Sequence, residues 1–202
     1  MRQGMQGMIR KARWIAAATA AMALTGCISF GAEPPEQLLN LTPAIHAPAG
    51  SAASGNVSGA LAILDLQAPQ KLNVTRVPVA IDGSSLAYLK DAVWVERPAR
   101  LFGRLLADTV RAKGNRLVVS GTDLEYAAPT KLSGTLSAMD YDASRGAAIV
   151  RFDAVLQTAD GQILTRRFEN EVTGVPAQAG PVGAALNQAA NTVADEVAEW
   201  IG

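Results

Sequence analysis

The sequence has one cysteine, Cys27, and one histidine, His46, in 202 residues. A single cysteine excludes a disulfide within the chain, and a lone histidine without a cysteine partner argues against a zinc site. A serine–histidine triad would depend on His46, which lies among prolines, and no glycine-rich phosphate loop precedes a predicted helix. We therefore expect no metal, no cofactor and no catalytic residues, and we predict that the protein is not an enzyme.

Positive charge is scarce outside the first 26 residues. This segment holds four of the 18 basic residues and none of the 18 acidic ones, which leaves 14 basic residues against 18 acidic residues, a net charge of −4. Nucleic-acid binding depends on clustered lysine and arginine side chains that contact phosphates. We therefore expect no nucleic-acid partner.

Residues 1–26 have the pattern of a secretory signal peptide. A basic front is followed by an apolar, alanine-rich run at 14–24, which is too short to span a bilayer permanently. The basic residues are Arg2, Arg10, Lys11 and Arg13. We expect this segment to be removed after export.

The tetrad Leu24-Thr25-Gly26-Cys27 resembles the lipobox of bacterial lipoproteins. In a lipobox the cysteine sulfur receives a diacylglycerol, and cleavage leaves that cysteine as the first residue. Two or three acyl chains give a stable anchor, whereas one chain gives only marginal binding. Ile28 follows the cysteine, and because retention in the inner membrane of enteric bacteria usually requires aspartate there, we favour the outer membrane, with the inner membrane as the alternative.

We divide the remaining chain into a tether at 27–58 and one domain at 59–202. Four prolines and a run of small residues at 50–55 favour a flexible tether. Its apolar patch at 38–41 could dock on the domain as an edge strand. His46 is predicted to be a solvated linker residue.

The domain combines two amphipathic helices with several strands. Pro98 is typical of a first helical position, and Gly114 is a suitable residue to end that helix. A second helical pattern covers about 181–201. Three alternating segments near 132–141, 148–157 and 163–172 predict an antiparallel meander, and shorter strands precede the first helix. The fold class is therefore α+β, a mixed and mostly antiparallel sheet with both helices on one face.

The order of several short motifs resembles the family of ABC-type transport auxiliary lipoproteins, which includes PqiC. The motifs are Thr75-Arg76, Tyr88-Leu89 and Trp94-x-Glu96-Arg97-Pro98, followed by the first amphipathic helix. The likeness extends to the last helix with Trp200. PqiC has an Arg-Pro element in its first loop, where this chain has Gln70-Lys71-Leu72-Asn73, so contacts of that loop cannot be carried over.

The resemblance implies a fold like the amino-terminal domain of TolB. It also implies a role beside an ABC transporter and an MCE-domain protein, which move lipids or other hydrophobic compounds between membranes. Two other functions remain open, an envelope-assembly lipoprotein that activates a cell-wall or lipopolysaccharide machinery, and a direct lipid-binding carrier. A homo-oligomer is conceivable because MCE assemblies are hexameric, but no residue indicates it.

The segment from Tyr88 to Arg97 has two interpretations. In the first, Tyr88 and Trp94 cap the core while Glu96 and Arg97 satisfy the start of the helix. In the second, Arg76 and these four residues form a partner surface, since tryptophan, tyrosine and arginine are enriched in interface hot spots.

Replacing the predicted anchor should separate placement from folding. The Cys27→Ala chain should lose its lipid and leave the membrane fraction, because the anchor supplies most of the membrane affinity. Its circular dichroism spectrum should match that of the same domain carrying Cys27. Acyl-chain labelling and membrane fractionation measure the first effect, and a Cys27→Ala chain that still sediments with membranes would contradict the assignment.

Overall fold

The computed structural model describes residues 37–50, 53–114, 116–119 and 122–202, so the predicted signal peptide, lipobox and Cys27 lie outside the described residues. The strands are β1 (Leu61–Ile63), β2 (Arg76–Ala80), β3 (Leu86–Val93), β4 (Val118–Val119), β5 (Thr130–Asp142), β6 (Ala147–Gln157) and β7 (Ile163–Val172). The α-helices are α1 (Pro98–Lys113), α2 (Thr122–Ala127) and α3 (Ala179–Ile201). Within these residues, no helix combines the length and the hydropathy needed to cross a bilayer.

Strand β5 is the centre of a mixed sheet. One of its edges pairs antiparallel with β6, and β6 pairs antiparallel with β7, which confirms the predicted meander. The other edge pairs in parallel with β1 near Thr130 and with β2 near Tyr141. Beyond these, β4 pairs in parallel with β1, and β3 pairs antiparallel with β2. Strands β3 and β7 are therefore edges on opposite sides of β5.

Both long helices pack on the same face of the sheet, as predicted. Phe152 on β6 and Phe168 on β7 are cross-strand partners, so their side chains share that face. Phe102 of α1 contacts Phe152 edge-to-face at a ring-centroid distance of 5.3 Å. Trp200 of α3 contacts Phe168 in the same way at 5.5 Å. The buried side of α3 is rich in alanine, namely Ala185, Ala189, Ala190, Ala194 and Ala198.

The ends of α1 are those that the sequence indicates. Arg97 is the amino-terminal cap residue and Pro98 the first helical residue, where its missing N–H costs nothing. Gly114 ends the helix with a positive φ of 70°, a conformation that glycine adopts without strain.

Three details differ from the sequence-based expectation or go beyond it. Helix α2 was not predicted, because six residues are too few to show a helical period. Strand β3 extends to Val93 through an irregularity in which Asp91 has a positive φ of 57°. Pro78 lies at this irregularity, where a residue without a backbone N–H is tolerated in a sheet.

A segment that precedes the domain packs on it. Leu39 forms an isolated parallel bridge with Trp94, and its N–H donates to the carbonyl oxygen of Val93 at 2.7 Å. Leu41 is buried in the main core. The expected docking of the apolar patch at 38–41 is therefore present in the structure, at the end of β3.

Gly134 on β5 should tolerate no side chain. It has a positive φ of 154°, and an added Cβ would lie against the backbone oxygen of Asp153 and 2.8 Å from the Phe152 ring. The Gly134→Ala variant should lose about 1–3 kcal/mol or more in the free energy of unfolding, as overpacking in a core does. Urea denaturation measures it. Gly180→Ala, in open space within α3, is the control and should be neutral or stabilising; equal losses would refute the packing argument.

Candidate functional site

A groove lies between α1 and the chain that follows β1. Its volume is about 730 Å³. The apolar part of its lining consists of Ile63, Leu64, Leu66, Ala99, Gly103 and Val118. Leu66 lies 3.8 Å from the position that a Gly103 Cβ would occupy, which is an ordinary van der Waals distance, so the loop packs against the helix at this point. The groove therefore has an apolar floor built from both elements.

Four arginines from one side of the first helical segment also line the groove, namely Arg97, Arg100, Arg104 and Arg111. Intervals of three, four and seven residues keep them on one helix face. With a rise of 1.5 Å per residue, the stripe is about 21 Å long. A stripe of this length matches an extended or helical polypeptide segment better than a single small anion.

Carboxylates organise the arginine stripe. Arg104 Nη1 donates to both Glu96 oxygens, at 3.0 and 2.8 Å, and Arg100 Nε lies 3.8 Å from Glu96 Oε2. The hydrogen bond from Arg104 is the main reason why the pKa of the Glu96 carboxyl is lowered from its usual value. Asp108 accepts a bond from Arg111 at 3.1 Å. The carboxylates thus hold several arginines in defined positions along the groove.

A second aromatic and cationic pair lies on the β2–β3 hairpin. The Arg76 guanidinium carbon is 4.5 Å from the centroid of the Tyr88 ring. Arg76 is exposed and Tyr88 half-buried, so a cation–π contact presents both side chains at the surface. Arg76 and Tyr88 are both candidate residues of the sequence analysis, and the structure brings them into contact.

Trp94 occupies a different environment from the other candidate residues. It is 1% exposed and belongs to the main core, and its indole nitrogen has no hydrogen-bond partner. Trp94 follows β3 and precedes α1, so its buried ring anchors the chain between these two elements to the core. Its role in this structure is therefore core packing, whereas Glu96 and Arg97 lie beside the groove and Arg76 contacts Tyr88.

The groove was not predicted. Arg100, Arg104 and Arg111 lie on the polar side of an amphipathic helix, a pattern that by itself indicates only a solvent-exposed helix face. The chain at 64–66 covers part of that side, and no periodicity in a loop predicts such packing. Arg97 was identified through its position before Pro98.

Two aspartates of β5 have structural partners. Asp140 is buried and pairs with Lys71, while Asp142 accepts hydrogen bonds from the turn that contains Ser144. His46 is exposed. In the part of the chain that the structure describes, no three potential metal ligands cluster.

The family model described as "ABC-type transport auxiliary lipoprotein component" matches residues 40–198. This match confirms the family resemblance found in the sequence. Its first residue lies next to Leu39, so the docked segment and the domain fall almost entirely within one family unit. No curated protein matches the chain.

Two solved structures share the fold. Protein XCC0632 from Xanthomonas campestris, described under the DUF330 family model, has a TM-score of 0.68 at 18% identity, covering 82% of this chain and 94% of its own. A second structure, titled only as an uncharacterized protein, has a TM-score of 0.64 at 14% identity, covering 82% and 97%. These similarities support the α+β fold.

Removing Arg104 should change the titration of Glu96. In the Arg104→Gln variant the pKa of the Glu96 carboxyl should rise toward its usual value, because its strongest hydrogen bond is lost. A lowered carboxyl pKa stabilises the fold above the usual glutamate pKa, and this stabilisation disappears as the pH falls through the folded-state pKa. A carboxyl-detected NMR titration measures the change.

Arg100→Gln is the matched control, since its ion pair with Glu96 is longer and should affect the pKa less. Equal shifts in both variants, or no shift in Arg104→Gln, would contradict the geometry of the groove.

Proposed function

Because the chain belongs to the family of ABC-type transport auxiliary lipoproteins, we propose that it is a periplasm-facing subunit of an MCE-type ABC system for lipids or other hydrophobic compounds. It binds the MCE-domain component and positions it near a membrane. It performs no chemistry of its own.

The groove beside α1 is the observation that carries this proposal. It combines an apolar floor with a stripe of arginines, and both contribute to protein interfaces, where arginine is enriched among the energetically important residues. Glu96 fixes Arg104 in place, so less side-chain freedom is lost when a partner binds. A segment with acidic and apolar residues would satisfy both parts of this surface.

The Arg76–Tyr88 pair supplies a second part of the partner surface. Both side chains are accessible and hold each other in one conformation, which favours a preorganised contact. Trp94 contributes indirectly, since its buried ring supports the chain that leads from Tyr88 to Arg97. Among the five candidates, we therefore assign partner contact to four and support to the tryptophan.

Lipid on Cys27 holds the domain at a membrane in this proposal, and we favour the outer membrane because Ile28 follows the cysteine. The family is one of lipoproteins, which supports the anchor.

Capture from the native bacterium tests the partner. Full-length, lipidated protein should bring down an MCE-domain protein and its ABC transporter, and deletion of the gene should sensitise the envelope to detergents. Recovery of a cell-wall synthase in place of an MCE protein would support the envelope-assembly alternative and refute the proposal. Co-purified lipid without any MCE protein would favour a carrier.

Charge reversal in the groove should weaken partner binding. The Arg97→Glu/Arg100→Glu variant should bind the captured MCE protein about tenfold or more weakly, since a critical interface arginine commonly contributes more than 1 kcal/mol. A binding titration with purified partner measures it. Lys131→Glu/Arg166→Glu makes the same charge change on the sheet and should bind normally; equal weakening in both would exclude the groove as the contact.

A further inference from the structure

Residues 39–44, which precede the domain, are held by residues of α3. The N–H of Thr42 donates to Asn187 Oδ1 at 2.8 Å, and the N–H of Ala44 donates to Asn191 Oδ1 at 2.7 Å. Asn191 Nδ2 returns a hydrogen bond to the carbonyl oxygen of Thr42 at 2.9 Å. Two amides one helical turn apart thus bind the backbone of residues 42–44 as a neighbouring strand would.

The same helix makes room for an apolar side chain of the segment. A Cβ on Gly183 would lie 2.5 Å from Leu39 Cδ2, so only glycine allows Leu39 to approach this closely. Leu39 is also fixed on its other side, where its carbonyl oxygen accepts a bond from the N–H of Val95 at 2.9 Å. Residues 39–44 are therefore attached both to the end of β3 and to α3.

Docking reduces the number of residues between the proposed anchor and the first residue that contacts the domain. Leu39 is the twelfth residue after Cys27, whereas Ala60, the next fully buried residue after Leu41, is the thirty-third. At about 3.4 Å per extended residue, the maximum distance between Cys27 and the first buried or docked residue of the domain falls from about 110 Å to about 40 Å. The point of attachment also moves to one corner of the domain, at the end of β3.

The surface of this corner suits a lipid headgroup region. Side chains alternate along a strand, so Leu38 and Val95 point away from the buried Leu39–Trp94 bridge, and they are 54% and 44% exposed. Lys90 on β3 is 92% exposed at its side chain, and its Nζ lies 3.9 Å from a carboxylate oxygen of Asp91, which is 67% exposed. Exposed apolar side chains grouped at one corner of a domain favour contact with the interfacial region of a membrane.

We infer that residues 39–44 act as a fixed strap that turns the β3 corner, with Leu38, Val95 and Lys90, toward the membrane that holds the lipid anchor. The inference rests on the anchor at Cys27 in the proposed function. The opposite edge of the sheet, β7, then faces away from that membrane. Arg97 follows Val95 by two residues, so the groove begins beside the membrane-facing corner.

Energy transfer from the domain to vesicle lipids tests the orientation. In the lipidated full-length protein the Cys27 thiol is consumed by its thioether, so a cysteine introduced at Lys90 or at Thr165 is the only free thiol for a dye. Thr165 lies on β7, four strand spacings or about 19 Å across the sheet from β3. Vesicles of phosphatidylethanolamine and phosphatidylglycerol carry an acceptor-labelled lipid.

We expect clearly higher transfer from position 90 than from position 165. In the Asn187→Ala/Asn191→Ala background the difference should shrink by at least half, while hydrogen exchange of residues 39–44 accelerates and that of β5 does not change. Gln188→Ala/Thr192→Ala, on the same helix and with the same spacing, should retain the difference.

The possible results distinguish a failure of the proposed orientation from a failure of the proposed lipid anchor. If neither labelled chain floats with the vesicles, the lipid anchor is wrong and the orientation falls with it. If both chains float but transfer equally, the anchor stands and the orientation is overturned. An unchanged difference in the asparagine variant, together with accelerated exchange of residues 39–44, overturns the role of the strap.

Discussion

The fold depends on a chain of four aromatic side chains that joins both long helices to the sheet. Phe102 of α1 contacts Phe152 of β6, Phe152 pairs across the strands with Phe168 of β7, and Phe168 contacts Trp200 of α3. These are four of only ten aromatic residues in the sequence. Each ring buries a large apolar area, and edge-to-face contacts add directional preference. The positions of both helices, and hence of the groove and of the strap, follow from this chain.

The other face of the meander is held by charges. Arg151 pairs with Glu169 across β6 and β7, and Arg167 Nε lies 2.5 Å from Asp153 Oδ1. At the end of the sheet, Arg145 bridges Asp142 and Glu171, and hydrogen bonds from Ser144 and Arg145 lower the pKa of Asp142 to about 2. These pairs are mostly exposed, so each contributes little to stability. Their main effect is to keep a wide sheet face polar on the side opposite to α1 and α3.

The sequence predicts the elements better than it predicts the site. Periodicity and the end signals of Pro98 and Gly114 gave α1 correctly, and the alternating segments gave the meander, because both patterns are local. The groove depends on where the loop at 64–66 packs against α1, which no local pattern encodes. Aromatic character marked Trp94 as a surface candidate, but the bridge with Leu39 and the surrounding core bury it. The docking of residues 38–41 was predicted only as one possibility. Gly183 and Asn187, which contact this segment, lie more than 140 residues away along the chain, and no local pattern relates the two.

The alanines on the buried side of α3 make this helix sensitive to any substitution by a larger residue. Ala189, Ala190 and Ala194 are fully buried, and an alanine side chain loses no rotamer freedom when it is packed. The helix can therefore lie close to its neighbours at a small entropic cost. Because the packing is close, there is no space for a larger side chain, and such a residue would push the helix outward. Such a displacement would move the two asparagines with it, so a substitution in the interior would change the conformational freedom of residues 39–44 at the surface.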